Sequence, residues 1–308
     1  MSKITAVAYY KGIPPNNKNP EKPEILNNFC SGVAASGDTV IAHQGMEALP
    51  CDVALIQGYV HDHGKQAPHL KLRQDAINLQ KKNNKKSLIV DSNLFLYRDN
   101  GNSKTYLRYS FDGVFPTDGF YFDKDIDPNR WIKISRSLGM NLQPWRTNGQ
   151  HILICIQRSG GWSMGGVDVQ TWLDSTISIL QRLSNRHIIV RTHPGDKKIK
   201  SYLRINHRNV STSSPERTLL QDLHGAWATV VYNSSPSVAS VIEGIPTFIT
   251  DPIPRRSQAF EVANTNLNAI ENPVMPDRQQ WIEKISMCHW NFEELRSGEA
   301  WNFFKRYI

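Results

Sequence analysis

No window of this 308-residue chain approaches the ~18 consecutive apolar residues that a membrane-spanning helix requires. The opening MSKITAVAYYKG lacks the apolar core and small-residue cleavage site of a secretory signal, so it reads as a first strand. The cysteines, Cys30, Cys51, Cys155 and Cys288, are scattered and form no CxxC. That argues against a zinc ribbon or a disulfide framework and for reduced thiols in a cytoplasmic protein. There is no GxxxxGK[ST] and no GxGxxG, which excludes a P-loop and the standard dinucleotide fingerprint. Neither an internal repeat nor a low-complexity segment is present.

What the chain does have is length for two ordinary domains or one large one, with 39% hydrophobic residues to fill a core. Its formal charge is +8 and its pI about 9.3. An excess of this size attracts polyanions such as nucleic acid, nucleotide phosphates or an acidic glycan, and it is equally compatible with a plain solvated basic surface.

Short apolar runs alternate with helical patterns. Strands are expected at ITAVAYY, at 38–42, at 52–57 and at SLIV (87–90), with helices over 23–35 and 67–82. Residues 93–129 break the pattern with turn residues and aromatics and are expected to form a long loop. A polar stretch, 141–150, marks a domain boundary. Alternation then restarts with HILICIQ (151–157), a helix over 167–183 with Val169, Trp172, Leu173, Thr176, Leu180 and Leu183 on one face, HIIVR (187–191), ATVVY (228–232) and PTFI (246–249). The tail from 276 is helical and rich in Trp and Phe, so it must dock on something. The expected organisation is α/β: a first domain (1–148), a second domain (149–285) and a helical tail (286–308) that either stands apart or returns to the first domain.

Three strand ends of the second half carry the chemistry. They read Gln157-Arg158-Ser159-Gly160-Gly161-Trp162-Ser163, then Arg191-Thr192-His193-Pro194-Gly195-Asp196, then Asn233-Ser234-Ser235-Pro236-Ser237. In a parallel sheet all three open on one edge, bringing arginines, a histidine, glycines and hydroxyls together. Each segment alone is an ordinary turn or helix cap; the conjunction describes an anion site. Hydroxyls and free N–H groups at a helix start donate to phosphate oxygens, with Ser234 or Ser235 as cap and Pro236 in the first turn.

These segments, in this order and followed by Glu243-Gly244-Ile245-Pro246-Thr247-Phe248, resemble the donor-binding half of GT-B glycosyltransferases. They are similar above all to capsule-polysaccharide-type transferases and to transferases of tailed bacteriophages. The tail, with PDRQQW at 276–281, His289-Trp290 and ELRSGEAW at 294–301, is similar to the phage proteins. The resemblance covers 150–308; over the first half only the strand–helix plan matches. It implies two Rossmann-like, doubly wound parallel-sheet domains facing a cleft, and a nucleotide diphosphate sugar, a UDP-sugar first of all, as co-substrate. No cofactor or metal is implied. Gln157, Arg158, Gly161, Ser163, Arg191, His193, Ser234, Ser235 and Ser237 would bind the donor. Many such enzymes place a ribose-binding glutamate where this chain has Ala239; Glu243 either takes that part or faces solvent at the helix end.

For an inverting transfer the resemblance requires a base from the first domain. Asp91, directly after SLIV, is the first candidate and Asp62, after VALIQGYV, the second. Both have plain readings as turn residues. His61, His63 and His69 lack the carboxylates or cysteines that would complete a metal site. For the acceptor, basic clusters (Lys71 with Arg73; Lys81, Lys82, Lys85, Lys86) and the interleaved Tyr97, Arg98, Lys104, Tyr106, Arg108 and Tyr109 point to DNA phosphates and an unstacked base. The leading expectation is sugar transfer to 5-hydroxymethylcytosine in double-stranded phage DNA. The alternatives are a transferase of capsule or other surface polysaccharide, and a non-catalytic binding protein on the same fold.

Overall fold

The computed structural model of the chain describes residues 3–18, 21–58, 67–99, 106–159, 162–196 and 198–308. Their packing divides them into two compact units, Met1–Trp131 with Lys284–Ile308, and Ile132–Glu283.

The first unit is built on strands β1 (Thr5–Tyr9), β2 (Thr39–His43), β3 (Val53–Gln57), β4 (Lys86–Asp91) and β5 (Leu107–Phe111), with a short strand at His289–Trp290. Across the sheet they run His289–Trp290, β5, β4, β3, β1, β2. The four strands β1 to β4 are parallel; β5 is antiparallel to β4, and the short strand is antiparallel to β5. Side-chain alternation splits the core between the two faces. Ala6, Ala8, Leu55, Leu88 and Val90 meet helix α1 (Glu21–Ala35) through Ile25, Leu26, Phe29 and Val33. Val7, Ala54, Ile56 and Ile89 meet helix α2 (Pro68–Lys82) through Leu72, Ala76 and Ile77.

β5 corrects the expectation of one long loop over 93–129. Leu-Arg-Tyr-Ser-Phe is buried at every position, and its aromatics favour a pleated surface. The turn residues on either side concealed it. An antiparallel edge on a parallel sheet is a common arrangement.

The tail closes this unit. Helices Phe292–Ser297 and Glu299–Phe304 bring Trp301, Phe303 and Phe304 into the core beside Trp290. Each such side chain contributes roughly 1.5–3 kcal/mol when fully buried. The indole of Trp301 donates to Asp38 Oδ2 at 2.7 Å and meets Phe29 edge to face, centroids 5.6 Å apart. Gly32 permits the contact with α1, because a Cβ there would lie 1.8 Å from the carbonyl oxygen of Leu295.

The second unit holds β6 (His151–Cys155), β7 (His187–Arg191), β8 (Val210–Thr212), β9 (Ala226–Val231) and β10 (Thr247–Ile249). All are parallel, in the order β10, β9, β6, β7, β8. Helix Val169–Leu183 lays Val169, Trp172, Leu173, Ile177 and Leu180 on the sheet, with Asp168 capping its first turn through the Thr171 amide at 2.8 Å. Helix Pro236–Ile242 ends at Gly244, whose φ of +73° favours glycine. The segment leading into β6 packs there: Gln143 N–H donates to Ile242 O at 2.9 Å and Arg146 N–H to Gly244 O at 2.6 Å.

Candidate functional site

Open parallel sheets bind ligands outside the carboxyl ends of their strands, where the strand order reverses. In the second unit that point lies between β6 and β9. The loops that leave these strands are tied together there. Asn233 N–H donates to Gln157 Oε1 at 3.3 Å, and Gln157 Nε2 donates to Ser163 Oγ at 2.8 Å. Asn233 Nδ2 donates both to Ser163 O at 2.9 Å and to Asp251 Oδ2 at 2.7 Å. Loops after β6, β9 and β10 are thereby held in one arrangement.

A second brace joins the loops after β6 and β7. Asp196 accepts from Ser159 N–H at 3.0 Å, from Lys198 N–H at 3.0 Å and from the Tyr202 hydroxyl at 2.7 Å. Burial of this carboxylate works against ionisation, but these donors outweigh it and hold its pKa low. His193 accepts from Gly195 N–H at 3.0 Å. Burial, then the neighbouring charge of Arg158, lowers its pKa against the pull of Asp196, leaving a neutral imidazole at pH 7. Arg158 and Ser235 are exposed, Ser163 and Ser234 half-buried. The Ser234 hydroxyl oxygen is itself buried, with no hydrogen-bond partner among the described residues. Gly161 lies outside the described residues.

Four expectations at the donor site change character. Arg191 does not offer a free cation: its Nη1 pairs with Asp222 at 2.5 Å and with Arg217 O at 2.9 Å. Asp222 also accepts from Arg217 Nε and Ser213 Oγ, each at 2.6 Å. Burial opposes its charge, and these partners together keep its pKa below the usual range. Ser237 is fully buried, bonded to Ser234 O at 2.7 Å and to the Ser257 hydroxyl at 3.1 Å. Neither Ser234 nor Ser235 makes the expected cap: Ser235, at the N-cap, has helical φ and ψ and no side-chain bond. Glu243 sits at the far end of that helix, beside the segment that enters β6, and so at the amino edge of the sheet rather than the carboxyl edge.

Asp251 and Arg256 were not anticipated. Asp251 has a fully buried side chain after β10, and Arg256 Nη1 approaches it at 3.9 Å. Asp-Pro followed by Pro-Arg-Arg-Ser, directly behind a short apolar strand, was the available signal.

In the first unit Asp91 ends β4 and faces Arg108 across the β4–β5 pair. Its Oδ2 lies 2.5 Å from Arg108 Nη2. Tyr106, Arg108 and Tyr109 are 1%, 4% and 0% exposed, so they are core residues and not a stacking platform for bases. Tyr97 and Arg98 are half-buried, with the Arg98 guanidinium carbon 5.7 Å from the Tyr97 ring centroid. Asp62, His61 and His63 lie outside the described residues. Among the described residues no group of His, Cys, Asp and Glu is arranged to hold a metal ion, and no helix is long and apolar enough to cross a membrane.

No family model matches the chain, and no curated protein matches it. Solved structures do. The beta Kdo 2,4 transferase of Thermosulfurimonas dismutans KpsC superposes with a TM-score of 0.59 at 14% identity, over 94% of this chain and 92% of that one. The beta Kdo 2,7 transferase of the same protein gives 0.51 at 10% identity, over the whole of both chains. At these identities the likeness is one of fold. The chain has two Rossmann-like α/β units and the GT-B fold.

Proposed function

We propose that the chain is a glycosyltransferase that moves a sugar from a nucleotide-activated donor to a hydroxyl of a surface polysaccharide or its precursor. The observation that carries this reading is the braced carboxyl edge at β6 and β9, where Gln157, Asn233 and Asp251 fix three loops and leave Arg158, Ser163, Ser234 and Ser235 around them. Donors preset in this way act on the charge that develops as the bond from the anomeric carbon to phosphate breaks. Arg158 and Arg256 offset that charge. The acceptor oxygen forms the new glycosidic bond and passes its proton to Asp91, with inversion at the anomeric carbon and without a metal. The fold shared with the KpsC transferases supports the polysaccharide acceptor. The burial of Tyr106, Arg108 and Tyr109 takes three of the six interleaved residues out of reach of a DNA base, which favours the polysaccharide reading.

The test is mass spectrometry after incubation with a panel of nucleotide sugars and two acceptors, capsule-type oligosaccharides and DNA containing 5-hydroxymethylcytosine. A sugar-sized gain on the oligosaccharide is expected. A gain on the modified nucleoside alone restores the DNA acceptor. Donor binding with no transfer to either makes the chain a binding protein.

A further inference from the structure

The first unit has a switch point of its own. Its order β2, β1, β3, β4 reverses at β1, so the crevice lies where β1 and β3 end, at Tyr10–Gly12 and Gly58. The guanidinium of Arg73, from α2, is placed between those two segments. Its Nε donates to Gly12 O at 2.7 Å and its Nη1 to Gly58 O at 3.3 Å. Gly58 has a φ of +74°, and a Cβ there would stand 3.0 Å from Nη1.

Arg73 is 8% exposed. Buried guanidiniums are ordinarily matched by an acid. Arg130 has Glu294 and Arg108 has Asp91. Arg278, which is also held by backbone carbonyls, has Asp277 beside it and the Trp145 ring across its face at 4.0 Å. Arg73 has no carboxylate among the described residues. Two of the five guanidinium hydrogens are used, and the other three have no acceptor among those residues.

Two further basic side chains stand near it, one a cation and one an imidazole. Lys22, from α1, and His69, from the first turn of α2, both lie within Coulomb range of Arg73, and His69 within range of Lys22. Glu21 offsets Lys22 only in part. Burial lowers Arg73 to about 10. Burial first, and then the neighbouring cations, also lower Lys22 and His69. An anion seated among the three relieves this strain on every member.

We propose that Arg73, Lys22 and His69 form an anion site at the β1/β3 switch point that receives a pendant carboxylate of an acidic sugar in the acceptor glycan. The word acceptor rests on the transferase reading above; the anion site itself does not. A guanidinium with an open edge matches a carboxylate through two parallel hydrogen bonds. A recessed arginine suits a group that projects from its chain. DNA backbone phosphates are met instead by cations spread along an exposed surface.

The experiment is isothermal titration of the full chain with trigalacturonic acid, maltotriose as the neutral control, and a DNA duplex as competitor. The acidic trimer binds and maltotriose does not. Lys22→Gln and His69→Gln each weaken binding about tenfold, the scale of one charge-assisted hydrogen bond. Arg73→Gln weakens it further; if that variant fails to fold, the other two decide. Absence of binding to the acidic trimer, equal binding of maltotriose, or unchanged affinity in both Lys22→Gln and His69→Gln overturns the site. Displacement by duplex DNA that weakens in the same variants overturns the glycan carboxylate. Nucleotide-sugar binding, titrated in parallel on the wild type, tests the transferase reading separately.

Discussion

Asp91 Oδ2 and Arg108 Nη2 are 2.5 Å apart, and the other guanidinium nitrogens of Arg108 are buried with no acceptor among the described residues. Asp91 is thus the sole described acid on a buried cation while keeping one edge open to solvent. Asp91→Asn preserves an acceptor oxygen for Arg108 and removes the base. It should lower turnover by about 10²–10⁴-fold with little change in nucleotide-sugar affinity. Steady-state kinetics beside a donor titration checks this; full turnover in Asp91→Asn moves the base elsewhere.

Asn233 should matter through geometry and not through contact with the sugar. Asn233→Ala cuts the ties to Ser163 and Asp251 and leaves the buried Asp251 Oδ2 without its donor, while Oδ1 keeps the Ile253 N–H. Donor affinity is expected to fall about tenfold, equivalent to ~1.4 kcal/mol. Asn233→Asp should be worse, because it sets a second carboxylate against Asp251. Titration of the nucleotide sugar against both variants separates bracing from bulk.

The Arg130–Glu294 pair is inside the first unit, with side chains 5% and 3% exposed, and Arg130 also lies over the Trp290 ring at 3.8 Å. Removing one member strands the other. Glu294→Ala should cost about 3–5 kcal/mol of stability, read from the urea midpoint. The double variant Arg130→Met with Glu294→Leu should recover part of that loss.

His289 gives the first unit a defined acid sensitivity. Its Nδ1–H donates to Ile285 O at 2.8 Å, its Nε2 accepts from Leu94 N–H at 3.3 Å, and Phe95 lies over it at 4.3 Å. Burial lowers its pKa from 6.5 to about 3. The folded state therefore binds fewer protons than the unfolded state between these values. Stability from this residue is full above pH ~6.5 and is lost as pH falls toward 3, by at most about 1.4 kcal/mol per pH unit. His289→Gln should flatten the fall between pH 6.5 and 5 in urea unfolding. An unchanged slope removes His289 as its cause.

Local pattern made much of this architecture legible. The apolar runs at 151–157, 187–191 and 228–232 have the length and branching of buried strands, and each soon meets turn residues: Ser159-Gly160-Gly161, Pro194-Gly195 and Asn233-Ser234-Ser235-Pro236. The tail was legible as a docking element because Trp301, Phe303 and Phe304 had nowhere else to be buried. Pairings between distant residues were not legible. Arg191 is matched by Asp222 in the later helix Leu219–Leu223, and no local rule anticipates that a strand end and that helix will meet within 2.5 Å. Ser237 belongs to the same hydroxyl-rich run as Ser234 and Ser235, yet helix phase turns it inward. Glu243 follows the run closely in sequence, but a helix carries it to the opposite edge of the sheet. The strand at 107–111 was hidden by the turn residues around it.

The first unit is assembled from two separate stretches, Met1–Trp131 and Lys284–Ile308, while the second is one continuous stretch between them in sequence. During synthesis the ribosome delivers Ile132–Glu283 complete before the tail of the first unit exists. Until Trp290 and Trp301 emerge, the nascent first unit has β5 without its outer neighbour and an aromatic cavity without its contents. That interval is when chaperones should bind this chain, and a premature stop codon between the second unit and Trp301 should release a product that they retain.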